Sequence, residues 1–263
     1  MNIRTALVGL TLARGWVAVL LAFIWVPTAL SGGFTQSKGD IFSDLTFRTL
    51  DSGSFSKLEL QAYVEYGLLE SLTFIIKSPY NWLENKVGNH TTRNEGFIDQ
   101  EVGLRWRLNR DPWLAMAVQG LLLVPTGYDA HDPLPLGKGI VGAEFRIPVT
   151  RSYQLGQLYG YGTVEAAYRK YFGPQSDEIR LFAEVSIPII DRLSVDLQID
   201  HRSAIEPDLL FREEETDLTK LLGHVRLRLI NQLTLGVGGY TQIRGASGVG
   251  VEVQLWYRFS LWP

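Results

Sequence analysis

The stretch that decides the fold is residues 248–259, which read GVGVEVQLWYRF. Hydrophobic side chains occupy every second position from Val249 to Phe259, whereas the positions between them include Glu252 and Arg258. Because successive side chains of a β-strand point to opposite faces, this strand has one apolar and one mostly polar face. The apolar face ends in two aromatic residues, as in a strand that crosses a bilayer and meets the headgroups. The stretch therefore predicts a membrane-crossing strand if the same alternation recurs elsewhere.

Composition excludes several classes of function. The 263 residues carry a formal net charge of -3 and no cysteine. A nucleic-acid partner has no electrostatic support from this charge. The lack of cysteine excludes disulfide frameworks, thiolate metal sites and cysteine nucleophiles, and it is compatible with an exported bacterial protein.

The first residues have the pattern of a secretory signal peptide. Arg4 and Arg14 precede an apolar run over residues 15–26, and small residues follow up to Ser31. The run is shorter than the ~20 apolar residues of a spanning helix, so a permanent membrane anchor is the less favoured alternative. We predict a signal peptide over residues 1–31, cleaved after about Ser31, and a single domain over residues 32–263.

Alternation of apolar and polar residues recurs along the rest of the chain, with turn-forming residues between the segments. The first segment is the weakest, because its polar and apolar positions are poorly separated. Twelve strands are predicted, at residues 40–50, 55–66, 72–78, 97–108, 113–124, 140–149, 158–172, 179–188, 193–202, 218–229, 233–243 and 248–259. Residues 81–95 are predicted to form a polar loop, and the facing of residues 113–124 is ambiguous.

Short and long connections alternate between these strands. An even number of antiparallel strands places both termini at one end, together with the short turns, and the longer loops at the other end. This is the asymmetry of bacterial outer-membrane barrels, which have periplasmic turns and extracellular loops. The predicted fold is an all-β, closed, antiparallel up-and-down transmembrane barrel of about 12 strands with periplasmic termini, in the outer membrane of a Gram-negative cell. The last strand must pair with the first to leave no open edge in lipid.

Charged residues fall on the polar positions of the strands. An Arg or Lys facing lipid at mid-strand costs ~2 to 4 kcal/mol, so these positions must face the lumen. Because the two signs are nearly balanced, we expect neighbouring strands to form ion pairs in a narrow lumen. The candidates for lining the lumen are Glu59, Glu65, Glu101, Arg105, Arg107, Glu144, Arg146, Glu165, Arg169, Arg180, Glu184, Asp196, Arg226, Arg228, Glu252 and Arg258.

Two interpretations of this lining remain open. The charges could form a selectivity lining whose transverse field orients a polar solute. Alternatively, the pairs fill and stiffen the barrel with no solute involved. A third arrangement, an anion-selective arginine group made of Arg105, Arg107, Arg226 and Arg228, is less favoured, because Glu101 could neutralise it.

Short motifs at the strand ends resemble an outer-membrane family. The turn Tyr66-Gly67-Leu68 before Leu72-Thr73, residues 122–127, residues 188–194 and the terminal Tyr257-Arg258-Phe259 match the recurring motifs of the family named for the MetA-pathway of phenol degradation. The resemblance covers most of the mature chain, and each motif describes a barrel turn rather than chemistry. It implies a porin-like barrel that admits small, often hydrophobic molecules and has no catalytic residues. The tail after Phe259 departs from the pattern, and Phe259 or Trp262 could serve as the assembly signal.

The sequence gives only weak indications of an enzymatic site or a metal site. His201 and Ser203 share the lipid-facing side of one strand, which superficially resembles an outer-membrane phospholipase. That chemistry needs a third group to orient the histidine, but the facing strand offers no asparagine near this rim, and only Thr216 and Asp217 are close. The acidic stretch over residues 206–217 could hold a divalent cation or approach lipopolysaccharide through one. No histidine pair has metal-ligand spacing. We expect no metal and no cofactor.

The sequence therefore predicts a non-enzymatic outer-membrane channel for the passive transport of small molecules. Its expected partners are outer-membrane lipid and lipopolysaccharide, the barrel assembly machinery and a small-molecule solute, with no nucleic acid. A structural or adhesive surface barrel is the first alternative, and a phospholipase-like hydrolase is the second.

Overall fold

The computed structural model of the chain describes residues 32–205, 217–245 and 247–261. Thirteen β-strands account for most of them: β1 (Asp40–Asp51), β2 (Phe55–Leu69), β3 (Leu72–Val87), β4 (His90–Phe97), β5 (Gln100–Arg107), β6 (Leu114–Val124), β7 (Gly142–Leu155), β8 (Leu158–Tyr171), β9 (Glu178–Ile190), β10 (Leu193–Ala204), β11 (Asp217–Ile230), β12 (Leu233–Arg244) and β13 (Gly248–Ser260). The predicted signal peptide, residues 1–31, lies outside the described residues. In the part of the chain that the structure describes, no helix has the length and apolar character needed to span a bilayer.

The sheet closes on itself, as predicted. β1 is hydrogen-bonded to β2 on one side and to β13 on the other, with Asp40 opposite Ser260 and Phe47 opposite Val253. The remaining neighbours pair in chain order, and every pairing is antiparallel. The ring contains twelve strands, namely β1 to β3 and β5 to β13. Closure gives every barrel strand two partners, which the interior of a bilayer requires.

The thirteenth strand corrects the prediction of a polar loop over residues 81–95. β3 runs on past its pairing with β5 and forms a hairpin with β4, from Tyr80 opposite Phe97 to Val87 opposite His90. The predicted strand at residues 97–108 corresponds to β5; its first residue, Phe97, is the last residue of β4, and Ile98 and Asp99 separate the two strands. The prediction was wrong here because it relied on alternating apolar and polar residues. A hairpin that extends beyond the membrane needs no apolar face, so its strands lack that pattern.

Alternate residues of each strand face opposite sides of the barrel wall. On β10, Leu197 and Ile199 lie on the outer surface with 52% and 40% exposure, whereas Asp196, next to Leu197 in the chain, is fully buried inside. Exposed leucine, isoleucine, valine and aromatic side chains cover the outside of the other strands in the same way. The chain is thus inverted relative to a soluble domain, with a polar interior and an apolar exterior.

The facing of β6 is settled by its burial. Ala115, Ala117 and Leu123 point inward and are completely buried, whereas Met116 and Leu122 lie outside with 38% and 51% exposure. This strand is therefore apolar on both faces apart from the buried Gln119 on the inner face. Ala115 on the inner face packs against residues 32–39, as shown below.

The two ends of the barrel differ. Two-residue turns join β7 to β8, β9 to β10 and β11 to β12 at the end where the chain enters and leaves the barrel. There the Gly39 amide donates to the Gly67 carbonyl, and the Leu261 amide donates to the Gly39 carbonyl. We call this the turn end, and we call the opposite end, which carries residues 125–141, the loop end. The assignment of the turn end to the periplasm stays a prediction.

Candidate functional site: the barrel lumen

All sixteen predicted lumen residues lie on the inner side of the wall. Ten are nearly inaccessible, including Asp196 at 0% and Glu65 and Glu252 at 1% exposure. The other six, Arg107, Arg146, Glu165, Arg180, Arg228 and Arg258, are half-buried. Whether these residues line a path for a solute stays a prediction, but their arrangement can be described group by group.

The largest group of ion pairs surrounds Glu144 on β7. Its carboxylate accepts from Arg146 at 2.5 Å and Arg169 at 2.8 Å, and Arg180 lies 3.4 Å away. The group extends through further pairs, which are Arg169–Glu101, Lys77–Glu101 and Arg146–Glu165. Three guanidinium groups around one carboxylate offset the cost of burying its charge, and the whole group links β3, β5, β7, β8 and β9.

A second group links β1, β2, β11 and β13. Arg48 lies between Glu59, at 2.8 Å, and Glu252, with which it forms a short hydrogen bond. His224 Nε2 lies 3.2 Å from the other oxygen of Glu252, and Lys57 lies 2.7 Å from Glu59. The group spans the seam at which β1 meets β13, so it fastens the closure of the barrel.

A third group is built around Arg226 on β11. Its guanidinium lies 2.5 Å from Asp196 and 3.1 Å from Glu184, and it also donates to the Tyr161 hydroxyl at 3.1 Å. The same guanidinium lies 3.9 Å above the ring of Trp256. These contacts fix the position of Arg226 completely, and its charge is matched by two carboxylates.

Residues 32–39, which we call the N-terminal segment, enter the lumen at the turn end. The Gly33 amide donates to Thr150 Oγ1 at 2.9 Å, and the Gln36 amide donates to Thr73 Oγ1 at 2.9 Å. The Gln36 side chain donates to Glu65 at 2.6 Å. Each contact joins the segment to the inner face of a different barrel strand, so the segment occupies space that would otherwise be open.

Phe34 anchors this segment. Its side chain is only 5% exposed and packs on Ala115, with Tyr161 beside them. Arg105 donates to the Phe34 carbonyl at 3.1 Å, and Arg107 lies 5.0 Å from the centre of the Phe34 ring. Because Arg105 also pairs with Glu65 at 2.8 Å, one buried ion pair holds both the wall and the segment.

The arginine group that the sequence left as a less favoured alternative does not form. Arg105 and Arg107 lie on β5, whereas Arg226 and Arg228 lie on β11, and five strands separate the two in either direction around the ring. The two pairs are therefore on opposite walls. In the predicted twelve-stranded ring the segments at residues 97–108 and 218–229 are the fourth and tenth strands, so the predicted strand order already separates the two pairs by half of the ring.

The loop end carries its own cover. Leu134 and Leu136 from residues 125–141 are buried against Leu83 of the β3–β4 hairpin. Tyr128 forms a short hydrogen bond with Asp99, and its hydroxyl accepts from the Gly139 amide at 2.8 Å. Burial and the bond to Asp99 raise the pKa of Tyr128 above its ordinary value, so the phenol stays protonated as a donor. The long loop is thus fixed over part of the mouth.

The residues considered for other chemistry do not assemble into a site. His201 Nδ1 lies 2.9 Å from Thr219 Oγ1, and Ser203 Oγ is directed at the Ala204 carbonyl, so the serine has no hydrogen bond to the histidine. Within residues 32–205, 217–245 and 247–261, no cluster of three acidic or histidine side chains could hold a metal ion. Most of the predicted acidic loop, residues 206–216, and Trp262 lie outside the described residues.

The N-terminal segment was not predicted from the sequence. Neither were the inner-wall residues that contact it, which are Ala115, Thr150 and Thr163. The signal that could have found them is β6, whose inward positions carry alanine and leucine where the other strands carry charge. A small apolar face inside a polar barrel indicates that something packs on it. The two consecutive glycines at residues 32 and 33 are the matching signal, since they allow close approach of backbones.

Solved structures of outer-membrane channels share this fold. An outer-membrane channel from Pseudomonas putida F1 superposes with a TM-score of 0.63 at 11% identity, over 88% of this chain and 99% of that chain. The NanC porin superposes with a TM-score of 0.56 at 9% identity, over 82% of this chain and 98% of that chain. The KdgM porin superposes with a TM-score of 0.50 at 9% identity, over 82% of this chain and 99% of that chain. No protein-family model and no curated protein matches the chain in sequence. The likeness shows the fold, a closed β-barrel.

Proposed function

We propose that this chain is a channel in the outer membrane of a Gram-negative bacterium, through which small molecules pass passively. The observation that carries the proposal is the closed twelve-stranded ring with hydrophobic side chains outside and charged side chains inside. Such a wall separates lipid from a polar interior, which is the physical requirement for a transmembrane channel. No catalytic residue is assigned, because neither the ion-pair groups nor His201 and Ser203 provide an activated nucleophile.

The N-terminal segment is proposed to set the width of the channel. It crosses the lumen at the turn end and is held by hydrogen bonds to β2, β3, β5 and β7. None of these contacts is part of the barrel sheet, so the segment can leave while the ring stays closed. The structure then corresponds to the narrow state of the channel, and release of the segment gives the wide state.

Removal of residues 1–31 as a signal peptide fits this arrangement. Gly32 and Gly33 are buried inside the lumen, where a Cβ on Gly32 would lie 2.2 Å from Thr150 Oγ1. The burial therefore supports cleavage after about Ser31, with Gly32 as the mature amino terminus.

The strand-end motifs support a place in the family named for the MetA-pathway of phenol degradation. That membership would make small, often hydrophobic molecules the expected solutes. Outer-membrane lipid, lipopolysaccharide and the barrel assembly machinery are the proposed partners, because an apolar outer wall must be inserted and solvated by lipid. The β3–β4 hairpin and residues 125–141 would face the lipopolysaccharide side.

Liposome swelling tests the proposal. Purified protein is reconstituted into vesicles that are then diluted into isotonic solutions of arabinose, glucose or raffinose. A channel lets the smaller sugars enter faster than the trisaccharide, and vesicles with heat-denatured protein stay unswollen. Absence of swelling with every solute, for protein shown to be folded by its heat-modifiable gel mobility, would refute the proposed function.

A further inference from the structure

A cavity of about 390 Å³ opens at the turn end, beside the N-terminal segment, with Tyr161 between them. The segment packs on β2, β3 and β5 to β8, whereas the cavity extends along β7 to β13. The cavity is therefore the part of this mouth that the segment leaves open. Its volume lies within the range of roughly 300 to 1,000 Å³ that is typical of small-molecule sites.

The charges along this cavity are mainly positive. Arg192, Arg226, Arg228 and Arg258 line it, and Asp191 is the acidic residue among its lining residues. Arg226 is already matched by two carboxylates, as described above. Arg228 instead donates to the Asp191 backbone carbonyl, and among the residues that the structure describes no carboxylate forms a salt bridge with it. Arg228 thus presents a guanidinium whose charge no carboxylate neutralises at close range.

The cavity also has an apolar wall. Leu158, Pro188 and Leu193 line it at the turns, and the indole ring of Trp256 lies deeper inside. Arg226 stacks on Trp256 and holds the ring in place. A ligand that enters therefore meets a cationic side and a hydrophobic side within one small volume.

We propose that this cavity is a binding site for small organic carboxylates with an apolar body. The carboxylate would pair with the fork of donors on Arg228, which matches two oxygens at once. The apolar body would lie against Leu158, Pro188 and Leu193. The proposal deepens the channel function, on which it rests, by placing a selective step for anionic solutes at the turn-end mouth.

Calorimetric titration of the folded protein in detergent tests binding without requiring conduction. Benzoate serves as the probe, benzamide as its neutral analogue and acetate as the carboxylate without the apolar body. Benzoate should bind more tightly than either by about tenfold or more, because both the charge and the ring are recognised. Equal affinity for benzoate and benzamide, or no measurable binding of benzoate, would overturn the proposal.

Two substitutions locate the site. Arg228→Gln removes the unneutralised guanidinium and should weaken benzoate binding about tenfold, since hydrogen bonds to charged groups rank among the stronger ones. Arg110→Gln is the matched control, because it removes the same charge from an exposed position at the same end without lining the cavity. Equal weakening by both variants would show a diffuse charge effect and overturn the site.

A second variant keeps the test decisive if Arg228→Gln fails to fold. Thr234 faces Arg228 across β11 and β12 and lines the cavity. Thr234→Glu would supply a carboxylate to Arg228 from the wall and should abolish benzoate binding; unchanged binding would contradict the proposal. Failure of the site and failure of the channel are distinguishable, because benzoate binding without liposome swelling refutes only the channel, and swelling without binding refutes only the site.

Discussion

Gly33→Val is the sharpest perturbation of the N-terminal segment. A Cβ on Gly33 would lie 2.2 Å from the Ala115 carbonyl oxygen and 2.7 Å from the Ala115 carbonyl carbon. Both are backbone atoms of a barrel strand, so they cannot rotate out of the way as a side chain can. Valine therefore cannot be accommodated while the segment keeps its position, and the segment must shift or leave the lumen.

The size of the effect follows from the contacts that are lost. The hydrogen bond from the Gly33 amide to Thr150 is worth about 1 kcal/mol, and overpacking at a tight site costs about 1 to 3 kcal/mol. The sum, about 2 to 4 kcal/mol, shifts the equilibrium between seated and released segment roughly 30- to 1,000-fold. Ordering each residue of the segment costs about 1 to 2 kcal/mol of conformational entropy. The seated state is therefore only slightly more stable than the released state, and the loss caused by Gly33→Val exceeds this difference.

Single-channel recording in planar bilayers measures the outcome. Wild-type protein should spend most of its time at a small conductance level, and Gly33→Val should spend most of its time at a larger one. Gly120→Ala is the control, because a Cβ on this exposed glycine of β6 would meet no atom within 4 Å. Identical conductance levels and dwell times in all three proteins would refute the idea that the segment narrows the channel.

Three further predictions concern the wall and the amino terminus. Arg105→Ala leaves the buried Glu65 carboxylate without its salt-bridge partner, so it should lower the free energy of unfolding in vesicles by about 3 to 5 kcal/mol. The double variant R105M/E65Q should recover part of this loss. A loss under about 1 kcal/mol for Arg105→Ala would contradict the prediction. Val225→Arg places a charge on the lipid face and should cost about 2 to 4 kcal/mol by urea titration, whereas Val225→Leu should be neutral. The intact mass of the exported protein should correspond to Gly32 as its first residue, and a mass that includes residues 1–31 would contradict cleavage.

The barrel was predictable because each strand shows the alternation of apolar and polar residues within its own sequence. The alternation on β13 and its recurrence along the chain require one face in lipid and one in a polar interior, and closure follows because lipid permits no open edge. Even the weak first strand was correctly placed, with β1 opposite β13 as closure demands. The β3–β4 hairpin was missed because it extends beyond the alternating pattern, where polar residues occupy both faces.

The lumen was predictable only in part. Parity places Glu144, Arg169 and Arg226 inside, and neighbouring strands of known order can be expected to pair their charges. The predicted strand order also separates Arg105 and Arg226 by half of the ring, but the sequence does not show which side chains meet across the lumen. The N-terminal segment was missed because its contacts are with strands distant in the chain, and its eight residues carry no periodic pattern of their own.

Substituted cysteines on β2 test most directly that current flows through this lumen. The chain has no cysteine of its own, so Gln61→Cys on the inner face and Leu60→Cys on the outer face each provide a unique thiol. During a planar-bilayer recording, a charged, water-soluble thiol reagent should reduce the current through Gln61→Cys channels and leave Leu60→Cys channels unchanged. A conducting protein whose Gln61→Cys variant ignores the reagent, or whose Leu60→Cys variant is blocked instead, would contradict the assignment of the barrel interior as the channel.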